Sequence, residues 1–235
     1  MNDPAPFRPP ALGSQPALDT RDYGSTKLRH PSHAPLRIPT TVTEATGPQF
    51  SPAHFAPMLD MSVHAGGMAQ GERIIVRGRV LDENARPVAH SMVELWQANA
   101  AGRYAHPGDT HDAPLDPHFK GEGRVFTDAD GWYEFTTIKP GAYPWRNHFN
   151  GWRPNHIHFS LFGSGFAARL ITQMYFPGDP LLALDPIYMG VPDTAARERL
   201  VAKFDLDVTK PEWALGYRFD IVLRGRAATP TQGEP

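Results

Sequence analysis

Two histidines one residue apart stand in the run Arg153-Pro154-Asn155-His156-Ile157-His158-Phe159. On an extended strand, side chains at i and i+2 emerge on the same face. The pair would therefore present two imidazoles side by side, a spacing that suits a metal ion. It suits equally two histidines on a polar strand face, and the pair alone leaves both readings open. A second group, His106, His111 and His118 with Asp109, Asp112 and Asp116, reads either as another metal site or as a solvated polar loop. The chain has no cysteine, which excludes disulfides, thiolate ligands and cysteine nucleophiles, so a metal would have to draw on His, Asp, Glu or Tyr. Tyr104 and Tyr143 each follow a strand-like stretch, where the chain leaves a sheet edge. A free phenol ionises near pH ~10, but a trivalent ion can hold it as phenolate, a hard anionic donor. Two tyrosines with two histidines would favour Fe(III). Taken singly, either tyrosine could instead cap the core with its hydroxyl at the rim.

Such side chains need rigid elements to hold them. The 235 residues suffice for one sizeable core. Twenty-one glycines and 25 prolines imply many turns between short elements. Strands are expected at Arg73–Leu81 and Ser91–Gln97, read as a hairpin, and at Val125–Thr127 and Trp132–Ile138, joined by an Asp-Gly turn. More follow at His156–Phe162, Leu170–Phe176 and Tyr217–Leu223. One helix is expected over Asp193–Lys203, with Asp193-Thr194 as its cap. Short, regularly spaced strands with a single late helix predict an all-β sandwich. The catalytic domain would cover 51–235, preceded by a Pro-rich N-terminal arm over 1–50 of the kind that wraps a partner chain. The net charge of −2 supplies no basic field for nucleic acid. No apolar run reaches the ~18 residues of a membrane span, and the start lacks the pattern of a signal peptide, so a cytoplasmic protein is expected.

Four strings occur in one order: Glu94-Leu95-Trp96-Gln97-Ala98-Asn99, Gly102-Arg103-Tyr104, Tyr143-Pro144-Trp145-Arg146-Asn147, and Trp152 through Phe159. In this the chain resembles the intradiol ring-cleavage dioxygenases, over most of its length from about Tyr23 to Gly225. The resemblance implies a transthyretin-like β-sandwich of mixed sheets with long loops. By position it makes Tyr104, Tyr143, His156 and His158 the ligands of one non-haem Fe(III) per chain, with solvent or hydroxide completing the shell. Arg153 matches a cation that stabilises anionic character on the substrate, and Gln173 matches its polar neighbour. Trp145 and Ile187 match pocket walls, and Tyr23 a residue near the carboxylate of the bound aromatic acid.

The implied reaction inserts both atoms of O2 between the hydroxyl-bearing carbons of protocatechuate (3,4-dihydroxybenzoate), giving 3-carboxy-cis,cis-muconate in aromatic catabolism. The tyrosine matching Tyr143 would leave the metal and help accept a proton. The implied partner is a homologous alpha chain without the iron ligands, in an (alpha-beta)n assembly with active sites at the junctions. The apolar segment Phe55–Leu59 suits such an interface, and suits a homo-oligomer equally. Two features depart from the family pattern: Ala142 stands where proline is expected, and bulky Phe149 lies between Tyr143 and Arg153, which bears on substrate preference. Catechol or hydroxyquinol as substrate, a non-catalytic transthyretin-like binding module, and zinc hydrolysis are the competing readings.

Overall fold

The computed structural model describes residues 10–17, 33, 51–146, 149, 151–162 and 169–232. In chain order the strands are β1 (Val63–His64), β2 (Gly67–Met68), β3 (Arg73–Leu81), β4 (Met92–Trp96), β5 (Glu122–Phe126), β6 (Trp132–Ile138), β7 (Tyr143–Pro144), β8 (Trp152–Arg153), β9 (His156–Phe162) and β10 (Arg169–Tyr175). A 3-10 turn (Leu182–Leu184) and the helices α1 (Pro186–Met189) and α2 (Thr194–Glu198) follow, then β11 (Lys203–Phe204), β12 (Leu215–Arg218) and β13 (Ile221–Val222). Among the described residues no helix is long and apolar enough to cross a membrane.

Two sheets face each other. The first has the order β10-β9-β4-β5 and is antiparallel throughout. The second is mixed: β3 pairs antiparallel with β6 and parallel with β12 and β13, while β11 extends β12. The alternation in each strand sends its apolar side chains between the sheets. Val93, Leu95, Ile157, Phe159 and Leu161 of the first sheet meet Ile74, Val76, Tyr133, Phe135 and Phe219 of the second in one buried cluster. Phe159 lies at its centre, with ring centroids 6.0 Å from Tyr133, 6.0 Å from Phe135 and 5.2 Å from Phe219.

Strand β9 is buried on both faces along its whole length. Ile157, Phe159 and Leu161 fill the core, so His156, His158 and Ser160 must point to the other face, where they are nevertheless covered. Long loops lying over that outer face are what bury them. Polar groups are buried only where partners await them, and this face carries the site.

Three sequence expectations are corrected. First, β3 and β4 form no hairpin: the chain passes from one sheet to the other, as it also does through the turn at Asp128–Gly131, which joins β5 to β6 where a strand, turn and strand were expected. Alternation reveals which residues face inward, but not which layer a strand joins. Second, the helix over Asp193–Lys203 is short. Asp193 caps it by accepting from Ala196 N at 2.7 Å, but α2 ends at Glu198 because the following residues are drawn into strand pairing: Tyr175 N donates to Leu200 O at 2.8 Å and Ala202 N to Tyr175 O at 2.9 Å. A second helix, α1, was not expected. Third, the strand over Tyr217–Leu223 is broken between Arg218 and Ile221, where Arg79 N donates to the Asp220 side chain at 2.8 Å in place of a backbone carbonyl.

Truncating Phe159 to alanine should cost about 3–5 kcal/mol of unfolding free energy. Urea titration monitored by circular dichroism checks this, and a loss below about 1 kcal/mol would mean that Phe159 is not the central packing contact.

Candidate metal centre

The two histidines come from the rigid centre of the first sheet, and the tyrosines from loops folded over it. Tyr104 follows β4, and Tyr143 lies on β7 directly opposite Arg153 on β8. Asn99 ties the two loops together. Its backbone carbonyl accepts from Gly102 N at 3.0 Å and from Gly141 N at 2.9 Å. Its side-chain oxygen accepts from Ala101 N at 3.0 Å and Arg103 N at 2.9 Å. Glycine is required where the loops touch: Gly102 has φ +75°, and a Cβ there would sit 2.1 Å from the Ala142 carbonyl oxygen. Asp109 then shapes the loop beyond, accepting from Tyr104 N at 2.7 Å and His111 N at 2.8 Å.

Four donor atoms converge. His156 Nε2 and His158 Nε2 are 3.2 Å apart, Tyr104 Oη is 3.2 Å from the latter, and Tyr143 Oη is 3.4 Å from the former. His156 Nδ1 donates to Pro154 O at 2.6 Å and His158 Nδ1 to Gln232 Oε1 at 3.0 Å. Each ring proton is therefore turned away, and the two Nε2 lone pairs face each other. That contact is repulsive unless a cation lies between them. Nitrogen ligands about 2.0–2.1 Å from a common ion, and roughly 100° apart, would stand about 3.1 Å from one another. The donor set fits a metal.

The electrostatics agree. Burial, with the charge of Arg153 and the neighbouring imidazole, drives His156 well below the usual histidine range, and burial with Arg153 takes His158 down to about 3. Both rings are neutral over the physiological range, the form in which an imidazole can bind a metal. Burial and then the nearby Tyr143 oxygen raise the Tyr104 phenol well above its ordinary value. It would ionise only against a concentrated positive charge, and the hard donor set selects a hard, highly charged ion. Trp96 stacks on His158 with centroids 4.7 Å apart and ring planes within 3°, holding the imidazole flat.

Arg153 lies beside the donors, 2% exposed. Its Nε reaches Asp185 Oδ1 at 3.1 Å and Nη2 reaches Oδ2 at 2.9 Å, a bidentate clamp. Nη2 also donates to Gln173 Oε1 at 2.7 Å and Tyr175 Oη at 3.1 Å. The clamp leaves Nη1 aimed at the donor cluster, 3.5 Å from Tyr143 Oη and 3.4 Å from His156 Nε2. Burial works against the guanidinium charge, but Asp185 and then the Tyr175 and Tyr143 oxygens outweigh it and raise the pKa well above normal. Arg153 stays a cation. Gln173, opposite His158 in the sheet, keeps its Nε2 buried and unpartnered among the described residues, a donor available to an anionic ligand.

A cleft of about 770 Å³ opens onto Tyr104, Tyr143 and His158, with Trp96 and Trp145 among its walls. Residues 45–225 match the family model described as Dioxygenase, and residues 7–41 match the model for the protocatechuate 3,4-dioxygenase beta subunit N terminal. The chain belongs to the intradiol ring-cleavage dioxygenases. The protocatechuate 3,4-dioxygenase beta chain of Burkholderia cepacia is 54% identical over 99% of this chain and 100% of that protein. The protocatechuate 3,4-dioxygenase alpha chain of Pseudomonas putida is 33% identical over 68% of this chain and 76% of that one. Among solved structures, the dioxygenase domain of a carbohydrate-binding fusion from Streptomyces sp. SirexAA-E matches with TM-score 0.53 and 28% identity, covering 77% of this chain and 95% of that one.

Of the residues expected at an intradiol site, Tyr104, Tyr143, His156, His158, Arg153 and Gln173 are brought together. Trp145 lines the cleft, its ring 5.4 Å from the Arg153 guanidinium carbon. Ile187 lies on α1 and is absent from the cleft's described lining. Tyr23 falls outside the described residues. Phe149 is 86% exposed and Ala142 abuts Gly102. The loop histidines do not form a second metal site: His111 Nδ1 is 2.9 Å from Gly102 O and His118 Nδ1 is 3.1 Å from His64 O. Among the described residues no three His, Cys, Asp or Glu gather as a metal site. Sequence reasoning missed Asn99, Asp185, Tyr175 and Gln232 as supporting residues. Asp185-Pro186 carries a cap-and-proline helix start that could have exposed Asp185.

Replacing Asp185 with asparagine should destabilise the fold by about 3–5 kcal/mol, because it strands a buried charge, whereas the neutral pair Arg153→Met with Asp185→Leu should recover most of that loss. Denaturant titration of both variants checks it. Equal stability of Asp185→Asn and the parent would show that the clamp does not neutralise Arg153.

Proposed function

We propose that this chain is the iron-bearing chain of an intradiol dioxygenase that cleaves protocatechuate with O2 between its hydroxyl-bearing carbons, giving 3-carboxy-cis,cis-muconate. The observation that carries the reading is the convergence of two phenol oxygens and two imidazole nitrogens within 3.2–3.4 Å of their neighbours. The substrate follows from the full-length likeness to the Burkholderia cepacia chain. Tyr104, Tyr143, His156 and His158 would hold one non-haem Fe(III). Bound there, the ion supplies a Lewis acid for the two ring oxygens and makes the ring reactive toward O2.

The protein groups do the rest. Tyr143, half-buried on its short strand, is the donor able to move, and its oxygen accepts a proton from an incoming ring hydroxyl. Arg153 Nη1 faces that oxygen at 3.5 Å and, itself buried, stabilises negative charge growing on the ring. Gln173 Nε2 offers a second donor to the same charge. Trp145 packs against the ring, with Ile187 and Tyr23 assigned to the far wall and to the substrate carboxylate. The partner in this reading is a homologous alpha chain completing the site, with the arm over 1–50 spanning the junction beside the catalytic domain over 51–235. Support comes from the alpha-chain relative and from the exposed Phe55 and Leu59 beside the arm.

The test is visible spectroscopy of the protein co-produced with its alpha chain. A red-brown tyrosinate-to-Fe(III) band should shift when protocatechuate is added without oxygen and return once oxygen enters. His158→Ala should lose iron, and Tyr143→Phe should keep it with slower turnover. Full activity and iron content in both variants would sink the ligand assignment, and a band that moves with catechol but not with protocatechuate would move the substrate.

A further inference from the structure

Each histidine of the centre has its ring fixed from behind, but by very different means. His156 Nδ1 donates to the carbonyl of Pro154, two residues earlier in the link between β8 and β9. His158 Nδ1 donates to the side chain of Gln232, 74 positions along the chain. We infer that the C-terminal segment Ala228–Gln232, pinned by the N-terminal segment at Gln15, positions His158 for the metal.

The tail is built to hold that place. Thr229 exchanges bonds with β13, its N donating to Val222 O at 2.8 Å and its Oγ1 accepting from Val222 N at 3.0 Å. Thr172 Oγ1 donates to Pro230 O at 2.7 Å, and Gln232 N donates to Ile171 O at 2.7 Å, so the segment lies along β10. From the other side Gln15 Oε1 accepts from Thr231 N at 2.8 Å, while Gly13 O accepts from Asp193 N at 2.9 Å at the cap of α2. Both ends of the described chain thus meet behind one imidazole. A ligand histidine needs its remote N–H bonded to fix which nitrogen faces the metal, and loss of such a partner weakens metal affinity about 10–100-fold. Gln232 supplies an acceptor and nothing else at that point, so a carboxylate in its place should serve.

The inference rests on the metal-centre reading above, and the experiment separates the two. Ferric-ion affinity is measured by chelator competition on the alpha-beta complex of the parent, Gln232→Leu, Gln232→Glu and Gln15→Ala, with thermal melts alongside. Gln232→Leu should bind iron about 10–100-fold more weakly, Gln232→Glu should restore affinity to within severalfold of the parent, and Gln15→Ala should fall between them. A chain ending at Pro230 should behave as Gln232→Leu does. If Gln232→Leu binds iron as tightly as the parent, or if the leucine and glutamate variants lose affinity equally, the positioning role is wrong. A parent that binds no ferric ion would overturn the metal centre instead.

Discussion

Two imidazole nitrogens 3.2 Å apart, with both ring protons committed elsewhere, are the constraint on which the rest of this structure depends. Neither can donate to the other, so the pair is unfavourable alone and favourable around a cation. Holding it requires a strand that cannot bend away, and β9 is that strand, buried on both faces and paired on both edges. The apolar half of β9 anchors the sandwich core while the polar half carries His156 and His158. Core and site share one element, and disturbance of Phe159 is felt one residue away at His158.

The metal proposed at the donors would set a second problem, because the nearest permanent charge, Arg153, is also a cation. Asp185 resolves it. The bidentate pair is neutral as a unit, with Nε and Nη2 consumed and Nη1 left pointing at the Tyr143 oxygen. The field at the donors is thereby reduced, while the directional hydrogen bond survives for negative charge that develops later. Because Asp185 also caps α1, the same carboxylate ties the helix bearing Ile187 to the guanidinium.

The sequence made the strands legible where apolar and polar residues alternate: β3, β6 and β9 have the expected bounds. It misled wherever the outcome depends on the partner of an element. The β3 to β4 connection reads as a hairpin because both strands alternate, yet alternation carries no information on the layer. The helix after Asp193 carries a good cap but yields at Arg199 to pairing with Tyr175, a residue far back in the chain. The paired histidines were visible at i and i+2, and the tyrosines stood out through their surrounding motifs. Their supports were not visible. Asn99 acts through its carbonyl and side-chain oxygen on loops that meet only after folding, and Gln232 sits in a Thr-Pro-rich tail with no periodicity to mark it.

The unequal footing of the four donors bears on how such a site works. His156 is tied to Pro154 just before its strand, His158 to the tail, and Tyr104 to a loop bound by Asn99 and Asp109. Among the described residues Tyr143 is held by its two-residue pairing with β8, its hydroxyl standing 3.5 Å from Arg153 Nη1 and 3.4 Å from His156 Nε2 and within reach of the Tyr104 hydroxyl. A site that must admit a chelating diphenol has to release one donor without losing the others, and the least supported donor is the one that leaves at least cost. On the proposed assignment the fold therefore divides the four donors by their supports before any substrate arrives: three are held by hydrogen bonds that a bidentate ligand does not touch. The fourth, Tyr143, stands at the cleft wall beside Arg153, a cation positioned to steady negative charge on its oxygen.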